Sequence, residues 1–290
     1  MSRFGRIALA GEPNVGKSTL LNAILGTHLA IVSPKPQATR LPVTGILTED
    51  DTQIVFHDLP GLLDPRYLMH ERMVAIAREL LGEVDLILHL HPAAEAPAPP
   101  FERLVAAERR VAAPVVVVYT KADLVSPAAR TALAERALVV DARDRASVHS
   151  LVSTIRERVP EGTFEYDEDD IGTQPLRFFV VEYLREAAFE LLGDELPYAF
   201  TAEVEEFREN ESPMYIRVTL FVERDSQKGM VIGKGGQTIK ALGTHARARL
   251  EALTGSPVYL DLWVKVLPKW RRSAAALTRL GFPVSETEKA

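Results

Sequence analysis

The sequence predicts an α/β P-loop domain with a mostly parallel sheet, followed by a smaller α+β domain. Three observations carry this. Residues 11–18 read G-x-x-x-x-G-K-S directly after the apolar run 7–10, a strand-loop-helix context for phosphate binding. Residues 84–90 and 115–119 are near-continuous apolar runs, which suit strands buried on both faces of a parallel sheet. A second glycine-rich turn, 233–236, lies between two helical patterns near the end of the chain.

A length of 290 residues favours two domains, each able to bury its own core. Cysteine is absent, which excludes disulfides, thiolate metal sites and cysteine nucleophiles. Residues 1–6 are too short and polar for a signal peptide, and no apolar run approaches membrane-spanning length. A soluble cytoplasmic protein is expected. The net charge of −6 conceals an asymmetry. Residues 161–212 carry 16 acidic against 3 basic residues, whereas 226–272 carry 9 Lys/Arg against Glu251 and Asp261. A local basic stretch matters more to phosphate binding than the total does.

In chain order, glycines are needed where the backbone curls around phosphate oxygens, Lys17 supplies a cation for the terminal phosphates, and Ser18 a hydroxyl for Mg²⁺. The nucleotide-binding set here is Gly11, Asn14, Val15, Gly16, Lys17, Ser18 and Thr19, with Glu12 an anion inside the loop. Leu20, Leu21, Ile24 and Leu25 recur at helical spacing, and Gly26 closes that helix. Residues 33–40, with prolines at 34 and 36, form an irregular polar loop in which Thr39 can offer Mg²⁺ a second hydroxyl. A strand over 53–56 then runs into Asp58-Leu59-Pro60-Gly61, a D-x-x-G in which Asp58 reaches Mg²⁺ through water and the Gly61 N–H senses a γ-phosphate. His57, His89 and His91 lack ligand spacing and are expected to pack or face solvent. Residues 91–100, rich in Pro and Ala, should be an exposed loop.

The strand 115–119 ends in Thr120-Lys121-Ala122-Asp123, and Asp141-Ala142 closes a later strand. With the phosphate loop, the threonine loop and D-x-x-G, this order resembles the translation-factor-type GTPases. The resemblance implies GTP and GDP as ligands, with Mg²⁺. It implies that Thr120, Lys121 and Asp123 form the base-recognition motif, the Asp123 carboxylate pairing with the guanine N1 and N2 protons. The Ala142 N–H, beside Asp141, would face guanine O6. Thr120 stands where the family has asparagine and Asp141 where it has serine, departures that bear on affinity rather than on identity. Residues 13–19 and 37–40 resemble the Era branch. Leu62 takes the place of the water-orienting glutamine of Ras-like enzymes, so hydrolysis should be slow. In relatives with an apolar residue here, a phosphate-loop asparagine helps bind K⁺, a position that Asn14 matches. The catalytic set is therefore Lys17, Thr39, Gly61 and Asn14, and the metal set Ser18, Thr39 and Asp58.

Residues 160–175 are acidic and aperiodic, giving domains at 1–160 and 176–290 with a linker over 161–175. Phe179, Tyr183, Ala187, Leu191 and Leu192 mark an amphipathic helix ended by Gly193, followed by extended segments at 198–207 and 214–222. Gly233-Lys234-Gly235-Gly236 is a G-x-x-G turn that lets a nucleic-acid backbone approach closely. A short helix over 226–232 precedes it, and a helix carrying Ile239, Leu242, Ala246, Leu250 and Leu253 and a strand over 258–266 follow. That order resembles a type II KH domain, with Lys228, Ile232, Gly233, Lys234, Gly235, Gly236, Lys240, Lys265, Lys269 and Arg271 as RNA contacts. Arg249 is expected on a solvated helix face, Met230, Val231 and Ile232 in the core, although a KH groove presents aliphatic surface to bases, and Trp263 also in the core, although Trp263 and Trp270 both have rings that stack on bases. A GTPase domain joined to a KH domain resembles the Era family. This implies a monomer that binds near the 3′ end of 16S rRNA, assists assembly of the small (30S) ribosomal subunit, and contacts the membrane peripherally. Three alternatives stand beside it: a P-loop ATPase or kinase, a KH protein with a weakened nucleotide site, and a purely structural ribosome-associated protein.

Overall fold

The computed structural model describes residues 2–105, 111–193 and 195–284. The chain divides into two compact units: Met1–Ala30, Thr39–Pro65 and His70–Thr173 in the first, and Ile31–Ala38, Arg66–Met69 and Gln174–Ala290 in the second.

The first unit is built on β1 (Arg3–Ala10), α1 (Lys17–Leu25), β2 (Val43–Glu49) and β3 (Thr52–Asp58). After these come α2 (Leu68–Leu81), β4 (Leu86–Pro92), α3 (Glu102–Val105), β5 (Val115–Thr120), α4 (Pro127–Ala134), β6 (Leu138–Val139) and α5 (Arg145–Arg156). Its sheet has the order β2-β3-β1-β4-β5-β6. All pairings are parallel except β2 with β3. Every residue of β4 is buried, the signature of a strand covered on both faces. Leu20, Leu21 and Ile24 turn the inner stripe of α1 to the core, and Gly26, left-handed at φ 64°, ends it. The turn after α1 is held by Asn22, whose Oδ1 accepts from the Leu29 and Ala30 N–H groups while its Nδ2 donates to the Ala30 carbonyl.

The loop expected over 91–100 begins deeper than its composition suggests, because β4 continues through Pro92 and Ala93–Glu95 adds a buried-ended 3₁₀ turn. His89 packs its ring on Phe101 at 5.2 Å, and burial, aided by His91, lowers its pKa to about 4. His57 is likewise lowered to about 4, by burial and then by Arg6. The acidic residues 161–173 run along the first unit: Gln53 Oε1 accepts from the Glu165 and Tyr166 N–H groups, Gln53 Nε2 donates to the Tyr166 carbonyl, and Ile46 N–H donates to Ile171.

In the second unit, α6 (Leu176–Leu191) and α7 (Leu196–Ala199) precede β7 (Thr201–Arg208) and β8 (Met214–Val222). The chain continues through α8 (Asp225–Ile232), α9 (Gln237–Thr254), β9 (Val258–Val266) and α10 (Ala274–Arg279). The sheet runs β7-β8-β9, antiparallel then parallel. The extended segment expected from residue 198 begins at Thr201, because Pro197 fits the first turn of the short α7, where its missing N–H costs nothing. Buried Phe179, Tyr183 and Ala187 of α6, Val218 and Leu220 of β8, and Leu242, Ala246 and Leu250 of α9 supply the core.

Both tryptophans depart from expectation. Trp263 is 57% exposed, because the alternation of β9 turns Leu262 toward Gly243 of α9 and Trp263 to the opposite face. Trp270 is fully buried and donates from Nε1 to the Ala199 carbonyl. Met230 also departs: it is exposed on α8, while the neighbouring Val231 takes the core position.

Candidate functional site

Strand β1 ends where the backbone must turn sharply. Gly11 has φ 149°, and a Cβ there would lie 2.5 Å from the Leu90 carbonyl oxygen, so only glycine fits. The loop then returns into α1, whose first residue is Lys17. Buried Lys17 spans the loop, its Nζ donating to the carbonyls of Glu12 at 2.8 Å and Gly11 at 3.3 Å. Burial pulls its pKa down to about 8, opposed by Asp58 and Glu12. Glu12 itself is exposed, so water screens its charge. Asn14, at φ 64°, and Thr19 both sit on the accessible side of the loop, while Val15 is buried beneath it.

Three oxygens converge beside Lys17. Ser18 Oγ donates to Asp58 Oδ2 at 2.6 Å, Thr39 Oγ1 lies 3.0 Å from Ser18 Oγ, and Thr39 Oγ1 is 3.5 Å from Asp58 Oδ2. Two hydroxyls and a carboxylate form a hard, all-oxygen donor set that fits Mg²⁺ and no thiophilic metal. Gly61 packs against the phosphate loop so closely that a Cβ would stand 2.9 Å from Pro13 Cα. Leu62 donates its N–H to the Gly11 carbonyl at 3.1 Å and buries its side chain, so no polar group at this position reaches the cradle.

The end of β5 supplies the other half of the pocket. Buried Thr120 donates its hydroxyl to the Val15 carbonyl at 2.6 Å, tying the strand end to the phosphate loop. Lys121 follows in the left-handed region at φ 54°. Asp123 pairs with Arg143 at 3.2 Å, the arginine being largely exposed. Asp141 caps its own turn by accepting from the Arg143 N–H, and its N–H donates to Ser147 Oγ, leaving Ala142 between them. Arg143 and Ser147 belong to no motif, so nothing in the sequence marks either one.

Within the second unit the glycine turn is open. Gly233, Gly235 and Gly236 all have positive φ, at 73°, 61° and 78°. A Cβ on Gly233 would lie 2.2 Å from Thr238 Oγ1, whereas around Gly235 there is nothing within 4 Å. The candidate cations fall into two groups. Among the described residues Lys228, Lys234, Lys240 and Lys269 form no ion pair. Lys265 pairs with Glu205 at 3.1 Å, and Arg271 with Glu223 at 2.6 Å while its guanidinium covers the Tyr67 ring. Ile232 is half-buried beside the turn. Arg249, expected to be merely solvated, instead reaches the buried carboxylate of Glu186 at 3.4 Å.

Comparison with known proteins agrees with both halves. A family model described as 50S ribosome-binding GTPase matches residues 6–121, and a KH domain model matches residues 195–271. GTPase Era of Carboxydothermus hydrogenoformans is 38% identical over 97% of this chain and 98% of its own length. GTPase Era of Desulfovibrio desulfuricans is 40% identical over 96% of this chain and 97% of its own. The structure of Aquifex aeolicus Era bound to GDP and AlF4⁻ superposes with a TM-score of 0.89 at 34% identity, covering 97% of this chain and 100% of that one. An Era complex with MgGDPNP and nucleotides 1506–1542 of 16S ribosomal RNA gives 0.90 at 34% identity, covering 98% and 100%. With 38% and 40% identity to two Era GTPases over nearly the whole length of each chain, the chain belongs to the Era GTPase family.

Proposed function

We propose that this protein is a slow GTP-hydrolysing switch that binds the 3′ region of 16S rRNA through its KH unit and acts in assembly of the small ribosomal subunit. The observation that carries the nucleotide half is the convergence of Ser18, Thr39 and Asp58 oxygens beside buried Lys17. The Era complex with MgGDPNP and 16S rRNA supports the pairing of nucleotide and RNA in one protein of this architecture.

Lys17 and the N–H groups at the start of α1 balance the charge of the terminal phosphates. Mg²⁺ held by Ser18, Thr39 and Asp58 would neutralise charge on the β and γ oxygens. The Gly61 N–H, fixed by its close packing on Pro13, is the group that distinguishes a triphosphate from a diphosphate. Asp123 selects guanine, since guanine offers its N1 and N2 protons to the carboxylate where adenine turns a lone pair at N1 toward it. Leu62 offers no side-chain hydrogen bond to an attacking water, and Asn14 stands where a K⁺ ion can supply the missing charge. On the RNA side, Gly233–Gly236 admits the backbone while Lys228, Lys234, Lys240 and Lys269 meet phosphates. The location that goes with this reading is the cytoplasm, where a ribosomal RNA partner would be met, with any membrane contact peripheral; no described helix is long and apolar enough to cross a bilayer.

Parallel titrations with GTP and ATP, and with a single-stranded RNA of the 16S 3′ sequence, test the reading. Lys17→Ala should abolish hydrolysis and leave RNA binding intact. Gly235→Asp meets no neighbouring atom and puts at φ 61° a residue that tolerates the left-handed region better than most, so it should do the reverse. Equal affinity for ATP and GTP would overturn the guanine assignment.

A further inference from the structure

Strands β5 and β6 run side by side, Tyr119 against Val139, so the turns that follow them emerge together. Each turn brings one charged side chain to the same place. After β5, Lys121 in the left-handed region leads into the 3₁₀ turn Ala122–Leu124, which carries Asp123. After β6, Asp141 Oδ1 accepts from the Arg143 N–H at 2.9 Å, and the Asp141 N–H donates to Ser147 Oγ at 3.0 Å. Asp144 then caps α5 by accepting from the Ala146 N–H at 3.0 Å. Arg143 thus stands on a turn pinned on both sides, and its Nη1 donates to Asp123 Oδ2 at 3.2 Å. Together with Thr19 and Ala142 of the nucleotide-binding set, Arg143 also lines a cavity of about 380 Å³. All of these residues belong to the first unit.

The pair has the chemistry of the ligand. The N1–C2–N2 edge of guanine is a guanidine fragment with N–H donors side by side, and a carboxylate accepts from it as it does from an arginine fork. Pairing with guanine occupies both oxygens of Asp123, and Oδ2 is the one that Arg143 holds. We propose that Arg143 is an internal competitor for Asp123, a stand-in for guanine that must release the carboxylate before a base docks and so sets guanine-nucleotide affinity. The proposal rests on the guanine reading of Asp123 and deepens it. Its cost falls on the base and not on the phosphates, so GTP and GDP bear it alike. The apparent dissociation constant is the intrinsic one divided by the fraction of molecules in which Asp123 is released. The Arg143 side chain is 82% exposed and that of Asp123 26%, so this is a surface pair of modest worth, screened by salt. A pair of that worth leaves about a sixth to two-fifths of the molecules competent.

Arg143→Ala removes the competitor at an exposed position on which the core does not depend. In the full chain at low salt, GDP and a non-hydrolysable GTP analogue should both bind about two- to sixfold more tightly than to the unaltered protein, with their ratio unchanged. At about 1 M salt, where the screening length is about 3 Å, the gain should shrink toward none. Inosine diphosphate, which lacks the N2 amine, should gain by the same factor as GDP, because Arg143 has let go before either base docks. Arg143→Lys, which keeps the charge and loses the fork, should fall between the two. Weaker binding by Arg143→Ala would make the arginine a direct contact of the nucleotide and overturn the proposal. Unchanged affinity, or a gain that high salt leaves undiminished, would overturn it as well. If neither the unaltered chain nor the variant binds guanine nucleotide, the guanine reading itself fails, and the proposal with it.

Discussion

Lys17 enters the free protein as a costly charge. Burial lowers its pKa to about 8 from 10.5, so the free protein carries a penalty below about 8 that fades as pH rises toward 10.5. Triphosphate beside the ammonium reverses that shift, so binding takes up a proton in this window. GTP affinity should hold below about pH 8 and then fall by up to about tenfold per unit, one proton being linked. Calorimetry in buffers of different ionisation enthalpy checks this, because the uptake appears at pH 9 and not at pH 7. Thr120 carries a second expectation. Its hydroxyl ties the end of β5 to the Val15 carbonyl, so Thr120→Val leaves a buried carbonyl unpaired and should cost about 1–3 kcal/mol of stability and nucleotide affinity together. At this scale the motif residues were legible because phosphate loops dictate local backbone. Arg143, Ser147 and Asn22 were not, because they act on groups that only the folded turns bring near.

Among the elements, β9 shows how far periodicity carries. Alternation requires that one face of the strand be buried, but an apolar-looking run of Leu, Trp and Val does not say which face, and Trp263 came out on the exposed side. Two substitutions separate the tryptophans. Trp270→Ala removes a fully buried indole with a satisfied N–H and should destabilise by about 3–5 kcal/mol in denaturant titration. Trp263→Ala should cost less than about 1 kcal/mol, its loss limited to exposed packing and a hydrogen bond to Asp261. Helix α6 teaches the complementary point. Its apolar stripe was readable, whereas the burial of Glu182, Arg185 and Glu186 depends on a segment 147 residues away from Arg185 and leaves no local trace.

For the molecule as a whole, the overall charge of −6 hides the division of labour. RNA affinity should fall with salt by about 0.7 logarithmic units per decade for each phosphate met on a single strand, and Lys234→Ala should flatten that slope by one contact. Turnover should be higher in K⁺ than in Na⁺ at equal ionic strength, and equal rates would remove Asn14 from the catalytic set. If RNA alters GTP affinity, GTP must alter RNA affinity by the same factor. The two-unit architecture and its motifs were legible in the sequence; the placing of Ile31–Ala38 with the second unit was not, since it follows from contacts between distant segments. The acidic stretch along β2 has a consequence of its own. By pairing Ile171 with Ile46 and Gly172 with Gly45, it occupies the outer edge of a sheet that would otherwise offer open N–H and C=O groups to another chain. A first domain cut at residue 160 should therefore self-associate in sedimentation, while one cut at residue 173 should stay monomeric: what reads by composition as a spacer is the guard that keeps one molecule from adding to the next.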